Sequence, residues 1–265
     1  MHIIVLVKQV PNTTEVRIDP KTGNLIREGV ESIINPEDRH ALEAAISLRE
    51  RAGGTVTALT MGPPQAMEAA SEAVATGADR AILLTDRAFA GADTWATSTA
   101  LGLAIKKLAE FDLILAGRQA VDGDTAQIGP QVAEFLGIPQ ITYVSKLESG
   151  EGHIIAERVL EAGCERIEAP TPVLITVLAE LNEPRHPTVQ GIFAATSGRA
   201  PIEIWNAADI GAKAQHVGLP GSLTQVVRTF TPKEARTTQF VEGSPAEIAG
   251  QLIQAFRERD IRLGE

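Results

Sequence analysis

The sequence predicts an α/β protein built on a doubly wound, mainly parallel sheet. Two observations lead to this fold class. Short apolar runs rich in β-branched residues, such as Ile3 to Val7, are uninterrupted, which is typical of parallel strands buried on both faces. Segments with helical spacing alternate with these runs through the first half of the chain, and this alternation favours right-handed parallel crossovers.

Four strand-and-helix units account for the chain up to Gly137. The apolar runs predict strands at Ile3 to Val7, Thr55 to Thr60, Ala81 to Thr85 and Leu113 to Ala116. Helical spacing and end signals predict helices from Asn35-Pro36 to Gly53-Gly54, Ala66 to Ala75, Thr94 to Leu108 and Pro130 to Leu136. In the first helix, Asn35 is expected to cap the N-terminus and Pro36 to take the first helical position.

The pattern changes after Gly137. Ile141 to Leu147 and His153 to Val159 are separated by a short polar segment, which predicts an antiparallel hairpin. Cys164 to Glu168 and Val173 to Val177 are expected to add further strands, so the sheet should have antiparallel edge strands.

The sequence suggests an α/β domain of residues 1–200 and a C-terminal arm of residues 201–265. The arm ends in an amphipathic helix whose start is a capping box formed by Ser244 and Glu247. The helix carries an apolar stripe of Ile248, Leu252 and Phe256. Because little apolar core accompanies this stripe, two arrangements stay open: packing on another subunit, or folding back on its own domain.

The composition is that of an acidic globular chain. The 265 residues carry 34 acidic and 24 basic side chains, for a net charge of −10, and only 4% are aromatic. These values argue against a nucleic-acid surface and against base stacking on aromatic platforms. The N-terminal apolar stretch ends at Lys8 and is too short for a signal peptide or a membrane span. We therefore expect a soluble cytoplasmic protein without nucleic-acid or membrane partners.

The stretch from Asp112 to Gly137 is the most informative part of the chain. A buried strand opens into a loop, Gly117 to Gly129, that is rich in Gly, Asp, Thr and Gln. Pro130 then marks a helix start, because Pro is favoured at the first helical position. A parallel strand that releases such a loop into a helix directs backbone N–H groups toward a phosphate. An ordinary strand-to-helix connection is the alternative.

Four loops with unusual residues follow the carboxyl ends of predicted parallel strands. In open α/β sheets, ligands bind in the crevice outside those ends. The convergence of these loops therefore favours nucleotide binding over a plain structural connection. The loops are Lys8 to Asn12, Met61 to Gln65, Asp86 to Thr94 and Gly117 to Gly129.

Motifs for catalysis by the protein's own side chains are absent from the sequence. No Gly-x-Gly-x-x-Gly follows the first strand, and there is no Walker-type phosphate loop, zinc-protease motif or nucleophile elbow. The five histidines are scattered without metal spacing, and Cys164 has no evident base, so we expect no metal site and no catalytic residue. Asp122 and Asp124 are better suited to forming turns or accepting hydrogen bonds from ribose than to binding Mg²⁺. Any chemistry would belong to a bound cofactor.

Several motifs in order along the chain resemble the β subunit of electron transfer flavoprotein. They are Val7-Lys8-Gln9-Val10-Pro11, Asn35-Pro36, Met61-Gly62-Pro63-Pro64-Gln65, Gly77-Ala78-Asp79-Arg80, Gly117-Arg118-Gln119-Ala120 through Gly129, and Leu181-Asn182-Glu183-Pro184-Arg185. The resemblance implies a Rossmann-like fold of the adenine-nucleotide-hydrolase type. It also implies a heterodimer with an α subunit that carries the electron-transferring FAD, and a second nucleotide bound in this chain.

The resemblance assigns that nucleotide to a defined set of positions. Backbone amides of the central loop would cradle its phosphate, and the helix beginning at Pro130 would add its dipole. The positions that match the family pattern are Leu6, Asn35, Pro36, Glu37, Asp38, Met61, Asp122, Gly123, Asp124, Thr125, Ala126, Gln127, Ile128, Gly129, Pro130, Gln131, Val132 and Ala133.

The segment Pro184–Ser197 matches the family's recognition loop for a partner dehydrogenase, here of the acyl-CoA type. Val189 stands at the anchoring apolar position. The sequence departs from the mitochondrial type, in which a lysine-rich run follows, because this chain continues with small residues from Ala194 to Gly198.

Two segments resemble the electron-bifurcating members of the family, in which the nucleotide is FAD and not AMP. One is Val16 to Gly29, whose ends, Val16–Asp19 and Leu25–Arg27, we expect to form a hairpin or extended excursion. The other is Asp86 to Thr94. There Gly91 permits close backbone approach, and hydroxyls of Thr94 and Thr97 are placed to reach an isoalloxazine edge; the alternative is that Asp93 and Thr94 merely cap a helix.

The bifurcating assignment implies a specific electron path. NADH would bind beside FAD near Asp38 and the Gly91 to Thr94 loop, and it would donate hydride to that flavin. One electron would pass to the α-subunit FAD and then to the dehydrogenase, and the other to ferredoxin or flavodoxin. Two rival interpretations remain: a subunit that holds AMP structurally, and a stand-alone ATP-binding α/β domain.

Overall fold

The structure is a computed structural model that describes residues 1–12, 32–198, 200–228, 238–259 and 261. The chain divides into two compact units, Met1–Val227 and Arg228–Glu265. The sheet and the predicted nucleotide loop belong to the first unit.

The strands of the described chain are β1 (His2–Leu6), β2 (Gln9–Pro11), β3 (Ser32–Ile34), β4 (Thr55–Met61), β5 (Arg80–Leu84), β6 (Leu113–Gly117), β7 (Gln140–Ser149), β8 (His153–Leu160), β9 (Gly163–Pro170), β10 (Val173–Val177) and β11 (Ile202–Trp205). The α-helices are α1 (Pro36–Ala52), α2 (Met67–Thr76), α3 (Thr94–Leu108), α4 (Ile128–Leu136), α5 (Val189–Thr196), α6 (Gly218–Gly221) and α7 (Pro245–Glu258). Short 3₁₀ turns lie at Pro64–Ala66, Arg87–Phe89, Ala179–Leu181 and Ala214–His216.

Nine strands form one sheet in the order β11-β5-β4-β1-β6-β10-β7-β8-β9. Neighbours are parallel from β11 through β7, and the β7–β8 and β8–β9 pairs are antiparallel. The predicted fold class is therefore confirmed, with the first strand of the chain near the centre of the sheet.

The two faces of the sheet bury separate apolar cores. Side chains alternate along β1, so Ile3 and Val5 pack with α1 and α2, whereas Ile4 and Leu6 pack with α3 and α4. This alternation places two helices on each face of the central strands, as a doubly wound sheet requires.

Two details of the C-terminal half differ from the sequence prediction. Val173–Val177 is not an edge strand: β10 lies inside the sheet, parallel to both β6 and β7, and all five of its residues are buried. Ile202–Trp205, predicted to lie in the arm, pairs in parallel with β5. The first unit consequently extends to Val227, not to residue 200.

The predicted hairpin of Val16–Asp19 and Leu25–Arg27 lies outside the described residues. The described residues that flank this gap in the sequence form a small antiparallel pair, β2 with β3, and α1 follows β3.

The second unit contains α7. The predicted capping box is present, because the Ser244 hydroxyl accepts from the Glu247 amide and the Glu247 carboxylate accepts from the Ser244 amide. Every residue of α7 is described, and none is buried.

Candidate functional site

The predicted loops meet at the carboxyl edge of the sheet, around the switch point between β1 and β6. Chain order reverses there, because β4 lies on one side of β1 and β6 on the other. Leu6 is the last residue of β1 and is buried, and Met61 ends β4 and is half-buried. Both predicted positions therefore lie at the crevice where open sheets bind ligands.

The loop after β6 folds into a tight turn before α4 begins. The amides of Gly123 and Asp124 both donate to the Ala120 carbonyl, at 3.2 and 2.8 Å. The ammonium group of Lys8, at the end of β1, lies 2.6 Å from a carboxylate oxygen of Asp122. The Gln119 side-chain amide makes a close contact with the carboxylate of Asp124. These contacts engage both acidic side chains within the chain itself.

The backbone just beyond this turn has an uncommon conformation. Asp124 and Ala126 have φ values of 52° and 54°, in the left-handed region that non-glycine residues rarely adopt. Residues in such conformations persist where surrounding structure holds them, and they cluster at ligand sites. Alternation of right- and left-handed residues turns successive N–H groups toward one concave surface.

Five consecutive backbone N–H groups, from Thr125 to Gly129, donate no hydrogen bond to any described residue. The next amide that does so is that of Gln131, which donates to the Gln127 carbonyl at 3.0 Å. The free groups stand at the N-terminus of α4, where the helix dipole adds positive potential. The sequence prediction of non-helical backbone from Asp122 followed by a helix near Pro130 is confirmed, with α4 beginning at Ile128.

Glycine is needed at the start of α4 for packing. A Cβ at Gly129 would lie 2.5 Å from Cγ2 of Thr176 on β10. The buried residues Val132 and Ala133 continue the same contact surface toward the sheet. The first turn of α4 is therefore pressed directly onto the parallel strands.

The N-terminus of α3 lies beside this loop. The Thr94 hydroxyl donates to the side-chain oxygen of Gln127 at 2.8 Å and accepts from the side-chain amide nitrogen of Gln131 at 3.3 Å. Ser98, one turn later, donates to the Gln131 side-chain oxygen at 2.9 Å. These bonds hold two helix N-termini side by side at the same crevice.

The other positions predicted in the loop before α3 have different surroundings. Gly91 is exposed with φ 73°, and the atoms nearest to a Cβ there would belong to Leu219. Thr97 is half-buried, and its amide donates to the Asp93 carbonyl. Asp93 caps α3 by accepting from the Ala96 amide at 2.9 Å, as the alternative interpretation of this loop expected.

Asp93 does more than cap the helix. Its second carboxylate oxygen accepts from the amides of Leu223 and Thr224 and from the Thr224 hydroxyl. Partial burial raises its pKa, but these hydrogen bonds outweigh the burial and hold the pKa below its ordinary value. The segment after α6 is thereby attached to the α3 end of the crevice.

Asn35 does not cap α1 in the predicted way. Its side chain makes no capping hydrogen bond; it bonds instead to the backbone of the loop after β6. Pro36 does occupy the first helical position and is exposed.

Asp38 is buried, and its two oxygens accept from the amides of Lys8 and Gly117 at 2.8 and 3.1 Å. Burial raises the pKa of this carboxyl to about 7, although those hydrogen bonds oppose the shift.

Three contacts of this site were not predicted from the sequence, although Glu37 itself is among the predicted nucleotide positions. Lys8 pairs with Asp122, Glu37 pairs with Arg118 at 3.0 Å, and Gln119 contacts Asp124. Lys8 had a signal in the sequence, since it follows β1 directly. The partners of Glu37 and Gln119 are set by the fold and had none.

The predicted docking segment forms an anchored turn followed by α5. The Arg185 guanidinium binds Glu43 and Glu50 of α1 through four hydrogen bonds of 2.7 to 3.0 Å. Beyond this anchor, α5 presents two strongly exposed apolar side chains, Val189 at 85% and Phe193 at 75%. An apolar surface of this kind, held by a charged base, is typical of a protein interaction site.

Among the residues that the structure describes, no group of three or more His, Cys, Asp or Glu side chains is placed to hold a metal ion. None of their helices combines the length and the apolar character needed to cross a membrane.

Comparison with known proteins identifies the family. The model of the electron transfer flavoprotein domain matches residues 22–210, which is more than half of the chain. An electron transfer flavoprotein subunit beta from Thermoanaerobacterium thermosaccharolyticum is 53% identical over 261 residues, covering 98% of this chain and 100% of the relative. The caffeyl-CoA reductase-Etf complex subunit CarD from Acetobacterium woodii is 50% identical over 263 residues, covering 98% and 100%.

A more distant relative extends the comparison to another named group. Protein FixA from Azorhizobium caulinodans is 44% identical over 275 residues, covering 99% of this chain and 96% of the relative. The match thus runs through the sheet, the central loop and the C-terminal unit. The chain belongs to the electron transfer flavoprotein family, as a β subunit of the kind that pairs with an α subunit.

Proposed function

We propose that this β subunit binds FAD in the crevice at β1 and β6 and serves an electron-bifurcating flavoprotein. The observation that carries the nucleotide site is the run of free backbone N–H groups from Thr125 to Gly129. A phosphate or pyrophosphate would accept hydrogen bonds from these groups, which the described chain leaves without acceptors.

The residues present fit a phosphate-bearing nucleotide. Left-handed residues on both sides of Thr125 shape the backbone into a concave surface, and Gly129 lets α4 approach the sheet closely. The N-termini of α3 and α4, joined through Thr94 and Gln127, both direct positive potential into the crevice. FAD and AMP share this phosphate chemistry, so AMP is the second candidate.

FAD is favoured by what stands beside the phosphate site. The loop from Asp86 to Thr94 borders the crevice and carries an exposed glycine, Gly91, that lets a ring system approach the backbone. Thr94 supplies a hydroxyl at the N-terminus of α3. The sequence of this loop resembles bifurcating members, and a relative at 50% identity is named as a subunit of a reductase–Etf complex.

The proposed activity follows from the chemistry that FAD supplies when bound: it accepts hydride from NADH and passes electrons on singly. This chain's own residues bind and orient. The Thr125 to Gly129 amides hold the phosphates, the side of the crevice formed by Gly91 and Thr94 orients the ring, and the apolar end of β1 at Leu6 excludes water. The electron acceptors would be the α-subunit FAD on one branch and ferredoxin or flavodoxin on the other.

The partners of this complex follow from two surfaces. The Pro184–Ser197 segment, with Val189 and Phe193 exposed on α5, would dock an acyl-CoA-type dehydrogenase that receives electrons from the α subunit. The second unit, with the apolar stripe of α7, would pack on the α subunit.

The first experiment is to determine the nucleotide content of this chain co-purified with its α subunit, by absorbance and chromatography after denaturation. We expect two FAD per heterodimer. One FAD and one AMP would contradict the bifurcating assignment but retain the nucleotide site. A single FAD with no second nucleotide would contradict the nucleotide site itself.

The second experiment tests the loop before α3. Thr94→Val removes the hydroxyl that bonds Gln127 and Gln131 at nearly constant volume, and it should lower NADH oxidation by the heterodimer roughly tenfold or more. Thr99→Val is the matched control: Thr99 is buried in the same helix, and its hydroxyl donates only to the Trp95 carbonyl. Equal turnover in the two variants would remove Thr94 from the proposed site.

A further inference from the structure

Side chains at the start of α1 hold the backbone of the loop after β6 through four hydrogen bonds. Asp38 accepts from the Gly117 amide at 3.1 Å, and Glu37 accepts from the Gln119 amide at 2.8 Å. Asn35 donates to the Gln119 carbonyl at 2.9 Å and accepts from the Val121 amide at 3.1 Å. We call these three side chains the clasp: Asn35, which precedes α1, and Glu37 and Asp38 in its first turn.

The clasp acts on every second residue of the loop. The N–H groups of residues 117, 119 and 121 bond to the clasp. In an extended strand, alternate residues direct their backbone groups to the same side, and this spacing of two residues is therefore that of a strand. The intervening Arg118 amide donates in the other direction, to the Val177 carbonyl of β10 at 3.0 Å. The clasp thus takes the place of a neighbouring strand just where β6 ends.

The loop is therefore divided into a fixed half and a presented half. Contacts hold residues 117–124: the clasp, the turn closed on the Ala120 carbonyl, and the Lys8–Asp122 ion pair. The N–H groups of residues 125–129 are then left without acceptors in the described chain. The two left-handed residues, Asp124 and Ala126, lie at this boundary.

Asn35 serves the loop at the expense of its own helix. It is 0% exposed, and both ends of its side-chain amide bond the loop, so the capping bond that this position usually makes to α1 is missing. A lost cap costs about 1 kcal/mol. A residue that gives up the usual local contact of its type and bonds a distant segment instead is typical of a functional position.

We infer that Asn35, Glu37 and Asp38 are positioning residues for the nucleotide, acting through the loop backbone. This inference rests on the proposed nucleotide site and deepens it. The clasp holds the loop in the conformation that presents the five free N–H groups, so loosening it releases the nucleotide faster even though the presented residues are unchanged.

The test measures how fast the nucleotide of this chain leaves the purified heterodimer, after dilution into an excess of an apoprotein that binds FAD tightly, or by chromatography if it is AMP. Asn35→Ala removes two clasp bonds and should raise the dissociation rate constant roughly tenfold or more. The matched control is Asn182→Ala. Asn182 also bonds α1, through the His40 carbonyl at 2.9 Å, but it does not contact the loop. Its removal should leave the rate constant unchanged.

A second pair of variants decides the matter if Asn35→Ala does not fold. Glu37 is only half-buried, so both of its variants should fold. Glu37→Ala removes the bond to the Gln119 amide and should speed release several-fold, whereas Glu37→Gln keeps an acceptor there and should restore slow release.

The outcomes separate the two proposals. Wild-type heterodimer that carries no nucleotide in this chain would overturn the proposed nucleotide site, and the clasp inference with it. Wild-type heterodimer that holds nucleotide, with folded Asn35→Ala and Glu37→Ala variants that release it at the wild-type rate, would overturn the clasp inference alone.

Discussion

Replacement of Gly129 by alanine probes how closely α4 is pressed onto the sheet. The added Cβ would lie 2.5 Å from Cγ2 of Thr176 and 3.3 Å from Cδ2 of Leu174. Thr176 is 2% exposed on an interior strand, and its hydroxyl accepts from the Tyr143 amide at 3.2 Å. Because rotation of the threonine side chain would break that bond, its methyl group has nowhere to move and α4 must shift.

The size of the effect follows from two opposing terms. Overpacking of a buried contact costs about 1–3 kcal/mol, and alanine in a helix returns up to about 1 kcal/mol relative to glycine. The expected net loss in the free energy of unfolding is therefore up to about 2 kcal/mol. Thr176→Ser removes the methyl group, keeps the hydroxyl, and should cost about 1 kcal/mol by itself. In the double variant the clash is absent, so it should be no less stable than Thr176→Ser.

Urea denaturation of the wild type, both single variants and the double variant gives the coupling energy between the two positions. We expect about 1–3 kcal/mol in favour of the double variant. Nucleotide affinity should fall in Gly129→Ala and recover in the double variant, since the N–H groups at the start of α4 move with the helix. Single effects that add without coupling in the double variant would refute the close contact.

Two further predictions concern charged side chains. Arg185→Ala leaves the buried carboxylate of Glu43 without its partner and should lower stability by about 1–3 kcal/mol, a range reduced from that of fully buried pairs because Arg185 is partly exposed. Both the free energy of unfolding, measured by urea denaturation, and the affinity for the dehydrogenase should fall. Arg185→Lys should recover only part of each. Unchanged values of both would contradict the role of Arg185 as an anchor. Burial raises the pKa of Asp38 to about 7 in the folded chain, so unfolding releases its proton between about pH 4 and pH 7. As the pH rises through this range, the free energy of unfolding of the wild type should therefore fall by up to about 4 kcal/mol more than that of Asp38→Asn. Urea denaturation at each pH measures both values, and the same pH dependence in the two proteins would contradict the prediction.

Local patterns in the sequence predicted the elements of the first half of the sheet well. Uninterrupted apolar runs correspond to β1 and β6, and Pro130 lies in the first turn of α4, close to its predicted start. These signals depend only on neighbouring residues, because burial on both faces and the fixed φ of proline act over a few positions.

Strand order was harder to predict, since it depends on distant parts of the chain. Val173 to Val177 was expected to be among the strands that give the sheet antiparallel edges, yet β10 inserts between β6 and β7. Its composition, Val-Leu-Ile-Thr-Val, has the continuous apolar character of an interior parallel strand and was a usable signal. β11 had a weaker signal: it is a short edge strand with an exposed Ile204, so its placement beside β5 depends on tertiary contacts.

The same distinction applies to the site. The sequence predicted the strand, the small-residue loop and the proline-led helix of the proposed nucleotide site, because their order is local. It assigned Asn35 to the cap of α1, the usual role of that residue type before a proline, whereas its partners lie 84 and 86 residues later. A side chain's partner over such a separation is fixed by the packing of α1 against the end of β6, which single-sequence patterns do not encode.

The division of the loop into held and presented halves accounts for its two strained residues. Each non-glycine residue in the left-handed region costs about 1–2 kcal/mol, so an isolated loop would relax away from that conformation at Asp124 and Ala126. The contacts up to residue 124 hold one end of this backbone, and the packing of Gly129 on Thr176 holds the other. The loop conformation is thus maintained by structure on both sides, not by the residues that adopt it. Under the proposed function, nucleotide binding need not order a loop that is held in this way, so more of the interaction energy goes into affinity.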